Sequence, residues 1–354
     1  MKYDFNDPSI TVALVGAGGF IGSHLLEAIL ERTQWRIFAV DLDFHKVQQH
    51  LQNHRIEFLC EDLEEPSVLK KISSYPIVIQ LAAICTPSRY NTETQKVIES
   101  NFLTPAALAK ACADSGSWLL YFSTSEVYGK TSSEALLLEE DQSDFVYGSI
   151  HASRWSYAIA KQLSERYIAS LVHLSWTILR PFNFIGPRMD FVSGLDGEGI
   201  PRVLASFCGA LVKNEAMKLV DGGKAQRSFT SIHDAIRFIF LVLEKPHLSK
   251  QEVFNIGNPD NEISIRELSF LMQKIHAEIT HKNPKEYKSP IEVSGTNYYG
   301  KGYEDSLRRV PSIQKSQKLL GYLPTEPLEK TLKESILWFI DHYTPIIENQ
   351  ETQR

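Results

Sequence analysis

The first half of the chain repeats one pattern. A run of four to six mostly apolar residues is followed by a turn, then by a longer stretch with apolar positions three and four apart. The runs Val12–Val15, Ile37–Val40, Ile56–Leu59, Ile77–Leu81, Leu119–Ser123 and Trp176–Arg180 read as short strands, most of them apolar enough to be buried on both faces. The stretches Ile21–Arg32, Pro66–Ile72, Glu93–Ser115 and Arg154–Val172 carry the helical period. Alternation of this kind predicts an α/β fold with a doubly wound parallel sheet, because right-handed crossovers lay helices on both faces. After Pro181 the pattern changes. Residues 182–230 are rich in Gly and Pro turns and predict the start of a smaller, looser lobe. Ile232–Leu243 is apolar at helical spacing, and Val253–Ile256 predicts one more strand returning to the sheet. Residues 257–345 mix helices with a Tyr/Gly/Arg-rich loop, Tyr298–Pro311, and the polar tail 346–354 is expected to fray.

The first strand-to-helix turn carries the first chemical signal. Gly16, Gly19 and Gly22 stand in VALVGAGGFIGSH, after the first strand and at the start of the first helix. Glycine there lets the backbone bend tightly and approach a pyrophosphate, and the helix start at Phe20 and Ile21 offers free N–H groups and a positive dipole end. Asp41 ends the next strand, where a carboxylate can accept from both ribose hydroxyls and would repel a 2′-phosphate. Together these features predict NAD rather than NADP. They make residues 1–181, joined again by about 231–256, the NAD-binding domain, and leave 182–230 with 257–345 as a C-terminal substrate lobe.

Composition narrows the partners. The chain has 354 residues and a net charge of −6, so no basic field points to nucleic acid. Phe238–Leu243, the longest clean apolar stretch near the middle, is far too short to span a bilayer, and the polar start MKYDFNDPS has no signal-peptide core. Cys60, Cys85, Cys112 and Cys208 are scattered and form no CxxC pair, which predicts a reduced cytoplasmic protein without structural zinc. His50 and His54 lie at helical spacing, but no third ligand stands nearby, so no metal site is expected.

Tyr157 and Lys161 lie four apart in RWSYAIAKQLSER, which puts both on one face of a helix. A phenol ordinarily loses its proton near pH 10. An ammonium beside it, aided by a positive nicotinamide ring, lowers that value and makes the phenolate a base for a sugar hydroxyl. Ser123–Tyr128, SerThrSerGluValTyr, ends the fifth strand candidate, and strand C-termini in such a sheet face the ligand crevice. Thr124 is therefore placed to orient the hydroxyl that Tyr157 deprotonates.

The glycine turn, Thr124 and the Tyr157–Lys161 pair resemble the extended short-chain dehydrogenase/reductase family, whose members carry the Rossmann fold and act on nucleotide sugars. The resemblance runs over roughly residues 10–340. Finer matches are SerThrSerGluValTyrGly (123–129), ArgProPheAsnPheIleGlyProArg (180–188), ValAspGlyGly (220–223), GlnArgSerPheThr (226–230), AsnIleGlyAsnPro (255–259) and TyrTyrGlyLysGlyTyr (298–303). These resemble the UDP-glucuronate decarboxylating branch, which includes the decarboxylase domain of polymyxin-resistance enzymes and the plant-type UDP-apiose/UDP-xylose synthases. LeuAlaAlaIleCysThrPro (81–87), with Tyr90 after it, is closer to the plant type.

The resemblance implies a UDP-sugar substrate, NAD as cofactor and a homodimer paired through the Glu93–Ser115 and Arg154–Val172 helices. It places Asp62, with Leu63 beside it, at the adenine and Glu126 at the sugar carboxylate. It also brings Arg309 into the pocket to steer or protonate the intermediate. Oxidation at C4 puts a ketone β to that carboxylate, so CO2 leaves readily. A diphosphate favours arginine forks, which makes Arg227, Arg202, Asn183 and Lys218 its candidate contacts. Arg154, Tyr90, Tyr299 and Asp305 complete the expected sugar-nucleotide contacts. Cys85 matches one of two cysteines carried by the plant-type enzymes, and Ser125 stands where the second would be. A 4-keto-pentose or UDP-xylose is therefore the expected main product, with UDP-apiose minor. Two other readings remain. One is a nucleotide-sugar 4-epimerase or 4,6-dehydratase. The other is a non-catalytic dinucleotide sensor, against which the intact Thr124, Tyr157 and Lys161 argue.

Overall fold

A computed structural model describes residues 3–130 and 137–352. Its first six strands are β1 (Thr11–Val15), β2 (Arg36–Asp41), β3 (Ile56–Cys60), β4 (Ile77–Gln80), β5 (Trp118–Phe122) and β6 (Ser175–Pro181). After them come β7 (Phe184–Ile185), β8 (Lys218–Val220), β9 (Gln226–Ser228), β10 (Thr230–Ser231) and β11 (Glu252–Ile256). The last are β12 (Glu262–Ser264), β13 (Ile291–Val293) and β14 (Arg308–Arg309). Seven of these form one parallel sheet in the order β11-β6-β5-β4-β1-β2-β3. The order reverses between β1 and β4. Crossovers leave to opposite faces there, which opens a crevice above the strand C-termini. The glycine turn follows β1, and Ala82 follows β4 across that gap: a Cβ on Gly16 (φ 89°) would lie 2.7 Å from the Ala82 nitrogen.

The strands form where the apolar runs predicted them, each end within a residue or so. β1, β4 and β5 are buried almost throughout, since helices cover both faces. The helix Ile232–Glu244 lies beside Phe20–Arg32, and β11 closes the sheet next to β6.

Three segments differ from the sequence pattern. The expected single helix over Glu93–Ser115 is broken into Thr94–Ile98, a wide π-turn at Glu99–Leu103 and Thr104–Ser115. Pro105 has no N–H to give the carbonyl four residues back, and Asn101 puts its own amide into the Val97 and Ile84 carbonyls. The freed Asn101 carbonyl accepts from Ser164 Oγ at 2.7 Å, which ties this turn to the helix Arg154–Ser170. The turn-rich stretch 182–230 contains a helix, Val203–Val212, that the period did not show. It is apolar nearly all round because it packs against both Ile265–Thr280 and Leu328–Thr352. The tail expected to fray from residue 346 stays helical to Thr352, with residues 353–354 outside the described range. Ile346 packs on the core and Tyr343 donates to Asp196 at 2.7 Å, so the last turns are anchored.

Candidate active site

A cavity of about 530 Å³ opens where β4, β5 and β6 end. The turn Ser125–Tyr128 follows β5 and is started by Thr124, whose Oγ1 accepts from the Glu126 N–H at 3.2 Å. That cap swings Glu126 back into the cavity instead of letting the strand run on. Arg154, in the first turn of the helix Arg154–Ser170, forks this carboxylate at 2.7 and 2.9 Å. One turn further on the same helix stands Tyr157, stacked on Tyr90 with ring centres 5.0 Å apart and planes 10° apart. Arg154 lies 5.6 Å above the Tyr90 ring. Lys161 is fully buried and donates to the Phe122 carbonyl at 2.8 Å.

A three-stranded sheet, β12-β9-β14, supplies the opposite wall. In it Arg309 pairs in register with Arg227, so both side chains leave the same face. Between them sits Asp305, 2.7 Å from Arg227, 3.3 Å from Arg309 and 3.7 Å from Arg154. Arg309 also comes within 3.5 Å of Glu126. Three buried guanidiniums thus face two carboxylates, which leaves one positive charge over. The Nε atoms of Arg154 and Arg309 are buried without a partner. Burial pushes the Asp305 carboxyl up, but Arg227, Arg154 and Arg309 outweigh it and hold the group well below the ordinary carboxylate range. Excess positive charge lined by apolar and aromatic walls suits an anionic ligand.

Burial acts on Tyr157 and Lys161 in opposite senses. It raises the Tyr157 phenol well above its ordinary value, helped by Cys85 and Glu126 and only partly offset by the Thr124 hydrogen bond. The same burial lowers Lys161 to about 8. The ammonium is directed at the Phe122 carbonyl and lies 4.7 Å from the Tyr121 ring centre, so in the protein alone it does not make Tyr157 a phenolate near neutrality.

The glycine turn fits a dinucleotide. A Cβ on Gly22 would lie 2.0 Å from the Gly16 carbonyl, and the helix Phe20–Arg32 starts with no side-chain cap and no acidic residue in its first turn. Its first N–H groups are left for a ligand. Asp41 accepts from the Gly18 N–H at 2.8 Å and the Leu42 N–H at 2.7 Å, which sets its carboxylate beside the turn. Residues 12–257 match the model of the NAD dependent epimerase/dehydratase family.

The chain belongs to that family. Its cofactor is therefore NAD; Gly16, Gly19, Phe20, Ile21 and Gly22 form the turn after β1 and the start of its helix, with Asp41 beside them. The chain is 40% identical to a UDP-D-apiose/UDP-D-xylose synthase of Oryza sativa subsp. japonica, over 97% of this chain and 92% of that one. It is 39% identical to UDP-D-apiose/UDP-D-xylose synthase 1 of Arabidopsis thaliana, over 93% and 91%. Among solved structures, the PbgP3 protein of Burkholderia pseudomallei superposes with a TM-score of 0.83 at 30% identity, covering 95% of this chain and 98% of that one.

The cavity gathers Ile21, Cys85, Tyr90, Thr124, Ser125, Glu126, Arg154, Tyr157, Lys161, Asn183, Arg202, Lys218, Arg227, Tyr299, Asp305 and Arg309, from segments far apart in sequence. Asp41 stays at the glycine turn. Asp62 is exposed and Leu63 half-buried, on the segment after β3, whose Cys60 pairs in register with Asp41. Tyr303 and Ser123 are among the lining residues not singled out from the sequence. Tyr303 stacks on Tyr299 at 4.6 Å, and its signal was present in the TyrTyrGlyLysGlyTyr run. Ser123 carries a buried hydroxyl with no partner, and its signal lay in the SerThrSerGluValTyr run at the end of β5. No helix among the described residues is long and apolar enough to cross a membrane.

Proposed function

We propose that this protein oxidises C4 of UDP-glucuronate and releases its carboxyl carbon as CO2, leaving a UDP-4-keto-pentose. The observation that carries the reading is the buried cluster of Arg154, Arg227 and Arg309 around Glu126 and Asp305, in the same cavity as Tyr157. The names of the two plant relatives support it. NAD, when bound, supplies the hydride acceptor at C4. Thr124 orients the 4-hydroxyl, and Tyr157 takes its proton. The net positive cluster holds the anionic substrate, with Arg227, Arg202, Asn183 and Lys218 toward the diphosphate. Glu126 faces the sugar carboxylate. Loss of CO2 sends the C–C bonding electrons into the ketone as an enolate, which Arg309 stabilises. Asp62 and Leu63 flank the adenine. Incubation with UDP-glucuronate and NAD tests this directly: NMR should show a decarboxylated UDP-sugar, and an unchanged or merely epimerised hexuronate would overturn it. The cysteines are free, which suits a reducing cytoplasm.

Cys85 and Ser125 line the same cavity on the Tyr157 side. Ring contraction to apiose requires the C2–C3 bond to break and re-form, and so needs acid/base groups beside the sugar. A serine hydroxyl is a far weaker acid than a thiol of pKa about 8.5. UDP-xylose or the 4-keto-pentose should therefore dominate. Ser125→Cys is expected to raise any apiose fraction and Cys85→Ala to lower it, read by NMR of the sugar products. A parent enzyme making mostly UDP-apiose contradicts this.

The helices Thr94–Ile98 and Arg154–Ser170, with the π-turn Glu99–Leu103, present Ile98, Leu103, Ile159 and Leu163 on the surface, each 39–55% exposed. A second copy covering this face gives a homodimer. Leu103→Asp with Leu163→Asp is expected to yield monomers by light scattering at micromolar concentration; a monomeric parent would dismiss the dimer.

A further inference from the structure

Two elements of the cofactor-binding half converge on one kink beside the substrate cavity. Arg188 (φ 65°) and Asp190 (φ 54°) both lie in the left-handed region, which residues with a Cβ seldom occupy. Such a kink persists only where its neighbours hold it. From the helix that starts at the glycine turn, Glu27 forks Arg188 at 2.6 and 2.9 Å, and His24 Nε2 donates to the Pro187 carbonyl at 3.0 Å. From the turn that follows Asp41, Lys46 Nζ donates to the Arg188 and Asp190 carbonyls at 2.9 and 3.3 Å. Asp190 in turn grips Arg202 through its backbone N–H at 2.8 Å, its Nε at 3.0 Å and its Nη2. Arg202 lines the cavity that holds Tyr157.

We propose that Lys46 is a positioning residue through which NAD binding prepares Arg202 for the diphosphate of the sugar nucleotide. The proposal rests on the reading of the cavity as a UDP-sugar site. Asp41 and the glycine turn are the elements assigned to NAD. Lys46 stands five residues beyond Asp41, and Glu27 lies on the helix that caps the pyrophosphate. Ordering both ends fixes the kink from two sides, and the kink sets the direction of Asp190 and so of Arg202. Binding of NAD and of a uridine diphosphate must then be coupled, and by linkage equally in both directions.

The test is calorimetric titration of the full chain with UDP, with and without saturating NAD. In the parent, NAD is expected to tighten UDP about tenfold, within the usual range of such couplings. Lys46→Met should reduce that gain to less than about twofold, with its own NAD affinity preserved as the sign of an intact fold. Lys46→Arg should restore the gain, and Glu27→Gln, which loosens the kink from the other side, should diminish it. In turnover, Lys46→Met should raise KM for UDP-glucuronate about tenfold with kcat little changed, as expected for a lost binding interaction. A gain as large in Lys46→Met as in the parent, or no gain in the parent, overturns the proposal alone. A parent that binds no UDP with or without NAD overturns the UDP-sugar reading as well.

Discussion

Tyr157→Phe is expected to slow oxidation of the sugar by about 10²–10⁴, the usual cost of losing a general base, while NAD binds nearly as before. The variant keeps the ring that stacks on Tyr90, so the fold should hold. Only the phenolic oxygen is lost, the atom that takes the 4-hydroxyl proton in the proposed reaction. The pH dependence carries a second mark of the same group. Burial raises the Tyr157 phenol, so the proton-accepting form is scarce at neutral pH and the rate should climb as pH rises. That rising limb should vanish in Tyr157→Phe. In Lys161→Met it should move to higher pH, because removing a cation disfavours the phenolate. Absorbance at the NADH band against pH measures all three proteins. A Tyr157→Phe protein retaining more than about half the parent rate removes Tyr157 from the chemistry.

The second large effect separates oxidation from loss of CO2. Arg309→Ala removes the guanidinium that stands 3.5 Å from Glu126 and 3.3 Å from Asp305. Loss of a preorganised group that stabilises a developing oxyanion costs about 10²–10³ in rate. CO2 release should fall by that order while NAD affinity stays close to the parent value, since Arg309 lies on β14, away from the glycine turn. Glu126→Gln should act in the same direction, because it leaves the buried Arg154 fork facing an amide. Breaking one partner of a buried pair costs about 3–5 kcal/mol, so both variants also need a melting curve beside the kinetics. Release of labelled CO2 from carboxyl-labelled UDP-glucuronate is the measurement. Either variant releasing it at the parent rate contradicts the assignment and favours a 4-epimerase or 4,6-dehydratase.

The same local rules explain what the sequence could tell and what it could not. Apolar runs such as Val12–Val15 and Leu119–Ser123 set the strands, because a strand buried on both faces must be apolar at every position. The glycines of the first turn announced the cofactor, because only residues without a Cβ fit beside Ala82 and the Gly16 carbonyl. Tyr157 and Lys161 needed only a helix to share a face. These are features of neighbours in sequence. Three others depended on distant segments meeting. Asp305 became the centre of the positive cluster only when Arg154, Arg227 and Arg309 were brought to it, and its charge state follows from their combined field. The break at Glu99–Leu103 follows from Pro105, but its stability depends on Ser164 arriving to take the freed carbonyl. The phenol of Tyr157 was raised and the ammonium of Lys161 lowered by burial, which no spacing encodes. The sequence by itself determined the sheet, the glycine turn and the shared helix face of Tyr157 and Lys161. The tertiary structure alone decided the charge balance of the cavity and the direction in which Tyr157 and Lys161 shift, because desolvation and long-range Coulomb forces depend on which segments pack together.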